Sequence, residues 1–126
     1  MTEYLEVDDV VRIAQIAVRG GVVVRNQSVL ESAVGMPTMT MFSNDLYPDL
    51  ASKAAALWYS IDHNQPFMDG NKRTAILAAT TFLDINGHRV TLSDPEMYDL
   101  AMQVATNSVK DINGLATILR DVIEPI

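Results

Sequence analysis

The sequence predicts an all-α fold, a compact six-helix bundle formed by a single domain over residues 1–126. Apolar residues recur at three- and four-residue spacings along most of the chain, which is the period of an amphipathic helix. Glycine, proline and helix-capping residues separate these stretches, and no stretch has a persuasive two-residue strand period. A chain of this length can bury roughly two-thirds of its unfolded surface, so one domain can hold a sufficient core.

Three helices are predicted in the first half of the chain. The first covers about residues 7–19, with valines and alanines on one face, and the Gly20-Gly21 pair can end it. Asn26 can cap a second, short helix. The third covers about residues 49–62, with Pro48 at its start. Its predicted buried stripe consists of Leu50, Ala54, Leu57, Trp58 and Ile61.

Residues 35–48, between the second and third helices, have no clean period. The segment contains three methionines, a phenylalanine and a tyrosine, so it is too apolar for an ordinary linker. Two interpretations stay open. The segment either packs as a loop on the core, or it forms a flap over a binding site.

Three further helices are predicted in the second half. Residues 71–86 are apolar almost all round in their middle part, which favours a position at the centre of the bundle. A brief extended piece over residues 88–92 precedes a capping box at residues 93–96, which opens a helix reaching about residue 105. Asp111 can cap the last helix, which we expect to run through Ile123.

Charge and composition exclude several classes of function. Nine basic and sixteen acidic side chains give a net charge of −7, which disfavours direct DNA binding and anionic membranes. The chain has no cysteine, no apolar run of membrane-spanning length and an acidic N-terminus, so we expect a cytoplasmic protein. Two histidines, His63 and His88, cannot build a histidine-rich metal site, and we expect both near the surface.

The chemistry-bearing stretch is the loop that enters the fourth helix. Lys72-Arg73 is the one adjacent basic pair in the chain, and it follows directly on a turn at Gly70. Unpaired N–H groups at a helix start form an anion site, to which a lysine adds a point charge and an arginine a planar fork. Asp69 at the mouth could hold Mg²⁺, while Phe67 is expected to anchor the loop in the core. This combination suits phosphoryl or nucleotidyl transfer.

A purely structural interpretation of this loop stays open. Asp-Gly is a common turn, and Asn-Lys-Arg at a helix start could be a solvated face. However, Lys72 and Arg73 lie in the first turn, where the helix dipole opposes positive charge. Their placement therefore favours an anion-binding site over a solvated face, without excluding the latter.

The run Gln65-Pro66-Phe67-Met68-Asp69-Gly70-Asn71-Lys72-Arg73 resembles the signature of the Doc toxin family of the Fic/Doc superfamily, His-x-Phe-x-Asp/Asn-Ala/Gly-Asn-Lys-Arg. Similar runs flank it over roughly residues 7–123: Leu30-Glu31-Ser32-Ala33, Asp45-Leu46-Tyr47-Pro48 and Asn86-Gly87. The resemblance implies a Fic/Doc helical fold and the toxin of a toxin–antitoxin pair. It also implies a kinase that phosphorylates a threonine of elongation factor Tu from Mg-ATP and arrests translation, restrained by a Phd-like antitoxin.

The resemblance assigns a role to each matching residue. Asp69 would bind Mg²⁺, and Gly70, Asn71, Lys72 and Arg73 would bind the nucleotide, the last three gripping its phosphates. The catalytic set would be the residue at position 65, Asp69 and Arg73. Gly70 stands where relatives often have alanine, an exchange that we expect to be harmless in a turn.

Two positions favour a Doc-type kinase over a Fic-type AMP transferase. Fic enzymes carry Gly-Asn-Gly-Arg-x-x-Arg, whereas this chain has Lys72 at the second glycine and Ile76 at the second arginine. The lysine fills space next to the backbone, and the missing arginine weakens the second phosphate clasp. The AMP transferase remains the alternative enzyme.

Gln65 departs from the family pattern because it occupies the slot of the catalytic histidine. That histidine accepts the proton of the attacking hydroxyl, and an amide cannot do so because it has no accessible pKa. His63 lies two residues earlier and is expected to point elsewhere. Gln65 fits either natural decay into a pseudo-enzyme that binds nucleotide or a protein partner, or a deliberate inactivating change. The enzyme in this form is expected to be impaired.

Control by a partner chain is the last expectation from the sequence. There is no Ser/Thr-x-x-x-Glu-Gly/Asn stretch of the kind by which Fic proteins inhibit themselves. The apolar side chains of Met36, Met39, Met41 and Phe42 could form part of a groove for an antitoxin helix. Alternatively, these methionines pack inward.

Overall fold

The computed structural model describes all 126 residues and confirms the predicted all-α fold of six helices. The helices are α1 (Val7–Ala17), α2 (Gln27–Gly35), α3 (Leu50–Asn64), α4 (Asn71–Ile85), α5 (Asp94–Ala105) and α6 (Ile112–Val122). The remaining regular elements are a 3-10 turn (Met36–Thr38) and the strands β1 (Thr40–Met41), β2 (Asn44–Asp45), β3 (His88–Val90) and β4 (Ile123–Pro125). None of the helices combines the length and apolar character that a membrane span requires.

The predicted helix caps are confirmed at three helices. The side chains of Asn26, Ser93 and Asp111 accept hydrogen bonds from backbone N–H groups in the first turns of α2, α5 and α6. Asp49 caps α3 in the same way, so Pro48 precedes the helix rather than lying in its first turn. Each of these caps satisfies an N–H group that the helix itself cannot pair.

Two helix ends differ from the prediction. Helix α1 stops at Ala17, three residues before Gly20, because Val18 already has an extended backbone. Helix α6 stops at Val122, because Ile123 begins β4 and pairs with Val90 of β3. These strands are only three residues long, too short for a strand period to be visible in the sequence.

The central helix is α3, so the prediction that α4 lies at the centre of the bundle is wrong. Helix α3 contacts α2, α4, α5 and α6, and eleven of its fifteen residues are buried. Its alanines allow several neighbours to approach closely. Helix α4 buries six residues and leaves Ile76 and Leu77 only partly covered. All five residues predicted for the buried stripe of α3 lie in or against the core.

The segment predicted to be an apolar loop forms a β-hairpin that projects from the helices. Strands β1 and β2 pair antiparallel, and Phe42 and Ser43 form the turn with φ of 52° and 68°. The exposed fractions are 46% for Met39, 55% for Met41 and 91% for Phe42. Inward packing is therefore wrong for Met39 and Met41, whereas Met36 is half-buried in the 3-10 turn. The flap interpretation stays a prediction.

A buried lysine fixes the base of this hairpin to the central helix. Lys53 of α3 is 2% exposed, and its ammonium donates to Asp45 Oδ2 at 3.0 Å and to the carbonyl of Tyr47. The ammonium also lies 5.8 Å from the centre of the Tyr4 ring. Because a buried charge requires such partners, Lys53 ties β2 and the N-terminal segment to α3.

Candidate functional site

The loop between α3 and α4 is held against residues 22–26, the connection between α1 and α2. Phe67 is 1% exposed and forms an isolated antiparallel bridge with Val24. The backbone N–H of Met68 donates to the carbonyl of Val23 at 2.9 Å. The predicted role of Phe67 as the anchor of the loop is confirmed. The loop is therefore fixed from below by the core and from one side by the 22–26 segment.

Asn71 holds this loop through its side chain. Its Oδ1 accepts from the N–H of Phe67 at 3.0 Å, and its Nδ2 donates to the carbonyl of Phe67 at 2.8 Å. Both ends of the amide are thus engaged within the loop. The side chain is therefore committed to the loop, and phosphate binding by Asn71 stays a prediction that would use its backbone N–H.

The N-terminus of α4 begins without a side-chain cap. Gly70 occupies the cap position with φ of 76°, and the first hydrogen bond of the helix joins the N–H of Thr74 to the carbonyl of Gly70. The N–H groups of Asn71, Lys72 and Arg73 therefore have no partner within the helix. Together with the helix dipole they form a site suited to an anion.

A single pocket of about 390 Å³ brings the six predicted site residues together. It is lined by Val18, Gln65, Met68, Asp69, Gly70, Asn71, Lys72 and Arg73. Val18 and Met68 supply its apolar surface, and the remaining residues supply backbone, amide and charged groups. Val18 and Met68 line the pocket but were not among the predicted site residues. Val18 lies fifty residues away in the chain and carries no chemical signal, and Met68 occupies an unspecified position of the motif.

The charged side chains of the pocket are available to a ligand. Asp69 Oδ1 accepts from the N–H of Gly70 at 2.8 Å, which leaves Oδ2 unengaged. Neither Lys72 nor Arg73 takes part in the four salt bridges of the structure. No group of three or more His, Asp or Glu side chains could hold a metal ion. A divalent cation at this site would therefore have Asp69 as its protein ligand and complete its shell with phosphate oxygens and water.

A buried carboxylate lies one helical turn before Gln65. Asp62 is 5% exposed, and burial raises its pKa above the usual range, although the positive charge of Lys72 and the neighbouring His63 oppose the shift. Asp62 and Lys72 are therefore close enough for their charges to interact. The sequence contained one signal for it, since Asp62 follows Ile61 in the stripe that faces the core.

Gln65 ends α3 in the left-handed conformation, with φ of 49° and ψ of 63°, and lines the pocket. The prediction that His63 points elsewhere is confirmed. The His63 ring stacks on Tyr59 with 3.9 Å between the ring centres, and its Nε2 lies 2.9 Å from Asn107 Oδ1. It lines a different pocket, so position 65 has no nearby imidazole to take its place. His88 is half-buried in β3 rather than on the open surface.

Comparison with known proteins gives two matches. The family model described as the Fic/DOC family matches residues 4–83, which run from before α1 to near the end of α4. This range contains the whole pocket. The chain is also 42% identical over 118 residues to the protein named Toxin Doc from Mycolicibacterium smegmatis. The alignment covers 92% of this chain and 90% of that protein.

Proposed function

The chain belongs to the Fic/DOC family, and on that premise we propose that it is the toxin of a toxin–antitoxin pair, built as a kinase that uses Mg-ATP. The observation that carries the proposal is the uncapped N-terminus of α4, with unpaired Lys72 and Arg73 beside Asp69. The N-cap residue of each of the other five helices takes part in a side-chain cap or a capping box. The N-cap of α4 is Gly70, which has no side chain to cap the helix. A helix start without a cap is what an anionic ligand requires.

The residues of the pocket divide the work of binding a triphosphate. The N–H groups of the first turn of α4 hold phosphate oxygens, Arg73 clasps two oxygens with its fork, and Lys72 adds charge. Asp69, whose Oδ2 is unengaged, would hold Mg²⁺, and the ion would neutralise charge that develops on the phosphates. Asn71 stabilises the loop through its two side-chain hydrogen bonds with the backbone of Phe67. Catalysis of this kind rests on positioning and charge neutralisation.

Transfer of the terminal phosphoryl group is favoured over transfer of AMP. Ile76 stands where an AMP transferase has its second arginine, and it lines a separate pocket between α4, β3 and α5. It offers no charge to a second phosphate. Lys72 occupies the position of a glycine, so its side chain fills space at the helix start. Ile76 and Lys72 therefore both favour one arginine-bound phosphate group rather than two.

The acceptor that we propose is a threonine hydroxyl of elongation factor Tu, so that the reaction arrests translation. A Phd-like antitoxin would restrain it. These two assignments follow from the resemblance to Doc toxins, and the similarity to a protein named Toxin Doc supports the second. The projecting hairpin beside the helices gives a surface on which a protein partner can dock.

Gln65 makes the protein in this form an impaired kinase. It lines the pocket. In Doc toxins the residue at this position accepts the proton of the attacking hydroxyl, and an amide cannot accept that proton. His63 faces Asn107 and cannot reach the pocket in its place. The same observation favours a second candidate, a pseudo-enzyme that binds nucleotide or a protein partner without chemistry.

The test is to compare the protein with its Gln65→His variant after incubation with ATP and cell extract. We expect γ-phosphate label on one protein, and a rate raised about 10²–10⁴-fold by the positioned base. His63→Ala in the Gln65→His background is the matched control and should leave that rate unchanged. Growth after induction should fall in parallel.

Three results would contradict parts of this proposal. Label from the α-phosphate would identify an AMP transferase. Nucleotide binding without label in either variant would identify a pseudo-enzyme. Equal label in the protein and in Gln65→His would remove position 65 from the mechanism.

A further inference from the structure

Residue 65 has a backbone conformation that its side chain does not favour. Gln65 lies in the left-handed region, with φ of 49° and ψ of 63°, at the C-terminal cap of α3. Glycine usually occupies this position because a Cβ there approaches the following carbonyl oxygen. Nevertheless, this conformation is the one in which residue 65 lines the pocket at the start of α4. Something outside α3 must therefore stabilise it.

Arg25 contacts this turn at three consecutive carbonyl groups. Its Nε donates to the carbonyl of Gln65 at 2.8 Å, and one terminal nitrogen donates to the carbonyl of Asn64 at 2.9 Å and also to that of Gln65. Its backbone N–H donates to the carbonyl of Pro66 at 2.7 Å. A planar guanidinium can reach two neighbouring carbonyls at once, which a lysine ammonium cannot do in the same way.

The position of Arg25 also suits the electrostatics of α3. Its positive charge lies at the C-terminal end of the helix, where unpaired carbonyls and the dipole favour a cation. Arg25 forms no salt bridge with an acidic side chain, so its guanidinium is dedicated to these carbonyls. It is exposed, and the bridge between Val24 and Phe67 holds the same segment without it. Loss of the side chain should therefore affect the turn more than the fold.

We propose that Arg25 is a positioning residue, which holds residue 65 in the left-handed conformation that directs its side chain into the phosphate pocket. Arg25 does not line the pocket, and it acts through the carbonyls of Asn64 and Gln65. The catalytic consequence rests on the proposed function, in which residue 65 stands next to the attacking hydroxyl. The conformational consequence, that Arg25 holds residue 65 in the left-handed conformation, does not rest on the proposed function.

The conformational part is tested in the protein with Gln65 unchanged, by NMR. The Cα and Cβ chemical shifts of Gln65 report its backbone conformation. We expect Arg25→Met to move them away from left-handed values and Arg25→Lys to move them part of the way. Arg12→Met is the matched control, because Arg12 is another exposed arginine without a salt bridge. The proposal is overturned if the Gln65 chemical shifts change no more in Arg25→Met than they do in Arg12→Met.

The catalytic part is tested in the Gln65→His background. Arg25→Met should lower kcat by up to about 10²-fold, because a small displacement of a catalytic group has that effect. The KM for ATP should change by no more than about two-fold, since the phosphate groups of the pocket are untouched. A melting temperature equal to that of the parent, with the lowered kcat, supports positioning. An unchanged kcat, or a fall in kcat that merely follows a lost melting temperature, contradicts it.

The two tests separate this inference from the proposed function. If Gln65→His transfers no phosphate, the proposed function fails, and the chemical shifts of Gln65 alone decide whether Arg25 positions the turn. If Gln65→His is active and the shifts of residue 65 do not respond to Arg25→Met, only the inference fails.

Discussion

Gly70 packs so closely against Val18 that a Cβ built on it would lie 1.9 Å from Val18 Cγ2. Val18 follows the last residue of α1, and Gly70 is the cap of α4 with φ of 76°. Glycine is therefore required here twice, for its left-handed backbone and for the missing side chain. The sequence predicted that glycine in place of the family's alanine is harmless in a turn. The structure adds that the reverse exchange would not be harmless in this chain, because of the contact with Val18, which the motif does not reveal.

Gly70→Ala should destabilise the protein by about 2 kcal/mol or more, from the left-handed backbone and from the overlap with Val18. Nucleotide binding should weaken as well, because the shift displaces the first N–H groups of α4. Urea unfolding measures the first effect and ATP titration the second.

Val18→Ala combined with Gly70→Ala separates the two causes. The double variant removes most of the overlap, so it should regain part of the lost stability, while the left-handed backbone still costs about 1 kcal/mol. A single Gly70→Ala variant as stable as the unchanged protein would show that the end of α1 yields without cost.

The phosphate grip can be measured without catalysis. ATP with Mg²⁺ should raise the melting temperature, since a ligand at one hundred times its Kd adds about 2.7 kcal/mol to the free energy of unfolding. Arg73→Met should abolish most of this rise and Lys72→Met part of it, while Arg12→Met serves as the charge-matched control. A rise that survives loss of both Arg73 and Lys72 would place the nucleotide elsewhere.

Much of the fold was predictable because its signals are local. The caps at Asn26, Ser93 and Asp111 each depend on one side chain and an N–H group a few residues ahead, so they can be recognised in the sequence. The position of Lys72 and Arg73 in the first turn of α4 was predictable for the same reason, since loop and helix start are adjacent. Anion binding there stays a prediction.

The rest depended on contacts between distant residues. Val18 reaches Gly70 and Arg25 reaches Gln65 across forty residues or more, so no local pattern announces either contact. The hairpin was missed because strands of two residues have no measurable period. Helix α3, and not α4, is central because its small side chains allow neighbouring helices to pack on all sides. The uniform hydrophobicity of α4 did not indicate this.

Stability at low pH should depend on Asp49. The hydrogen bond from Arg120 at 2.6 Å, with further help from Ser52, lowers the pKa of this carboxyl well below its usual range, although partial burial opposes the shift. Between the pKa of Asp49 in the unfolded chain and its lower pKa in the folded protein, Asp49 binds a proton in the unfolded state but not in the folded state. Stability is therefore complete above about pH 4 and falls as the pH drops towards the folded pKa.

Asp49→Asn keeps a capping residue and removes the charge, so its stability should fall less steeply below pH 4 than that of the unchanged protein. Asp49→Ala loses the cap as well and should cost about 1 kcal/mol already at neutral pH. Urea unfolding between pH 2 and pH 7 measures both. If the free energy of unfolding depends on pH in the same way in the protein and in Asp49→Asn, the pair with Arg120 contributes nothing to the loss of stability at low pH.

The last prediction concerns the antitoxin and the hairpin. Met39, Met41 and Phe42 are exposed, and methionines adapt readily to a helix that docks on them. We expect a small antitoxin, encoded by a neighbouring gene, to fold its tail into a helix against this surface. Met39→Ser with Met41→Ser should weaken antitoxin binding at least about tenfold, which corresponds to about 1.4 kcal/mol. The melting temperature should stay unchanged, because neither side chain is in the core.

Met102→Ser is the matched control, since Met102 of α5 is 44% exposed and lies outside the hairpin. Its affinity for the antitoxin, measured by calorimetry beside the hairpin variant, should equal that of the unchanged protein. Full affinity in the hairpin variant would place the antitoxin on another surface. A large fall in its melting temperature would instead show that the hairpin contributes to the fold through its methionines, and not only through the contact of Lys53 with Asp45.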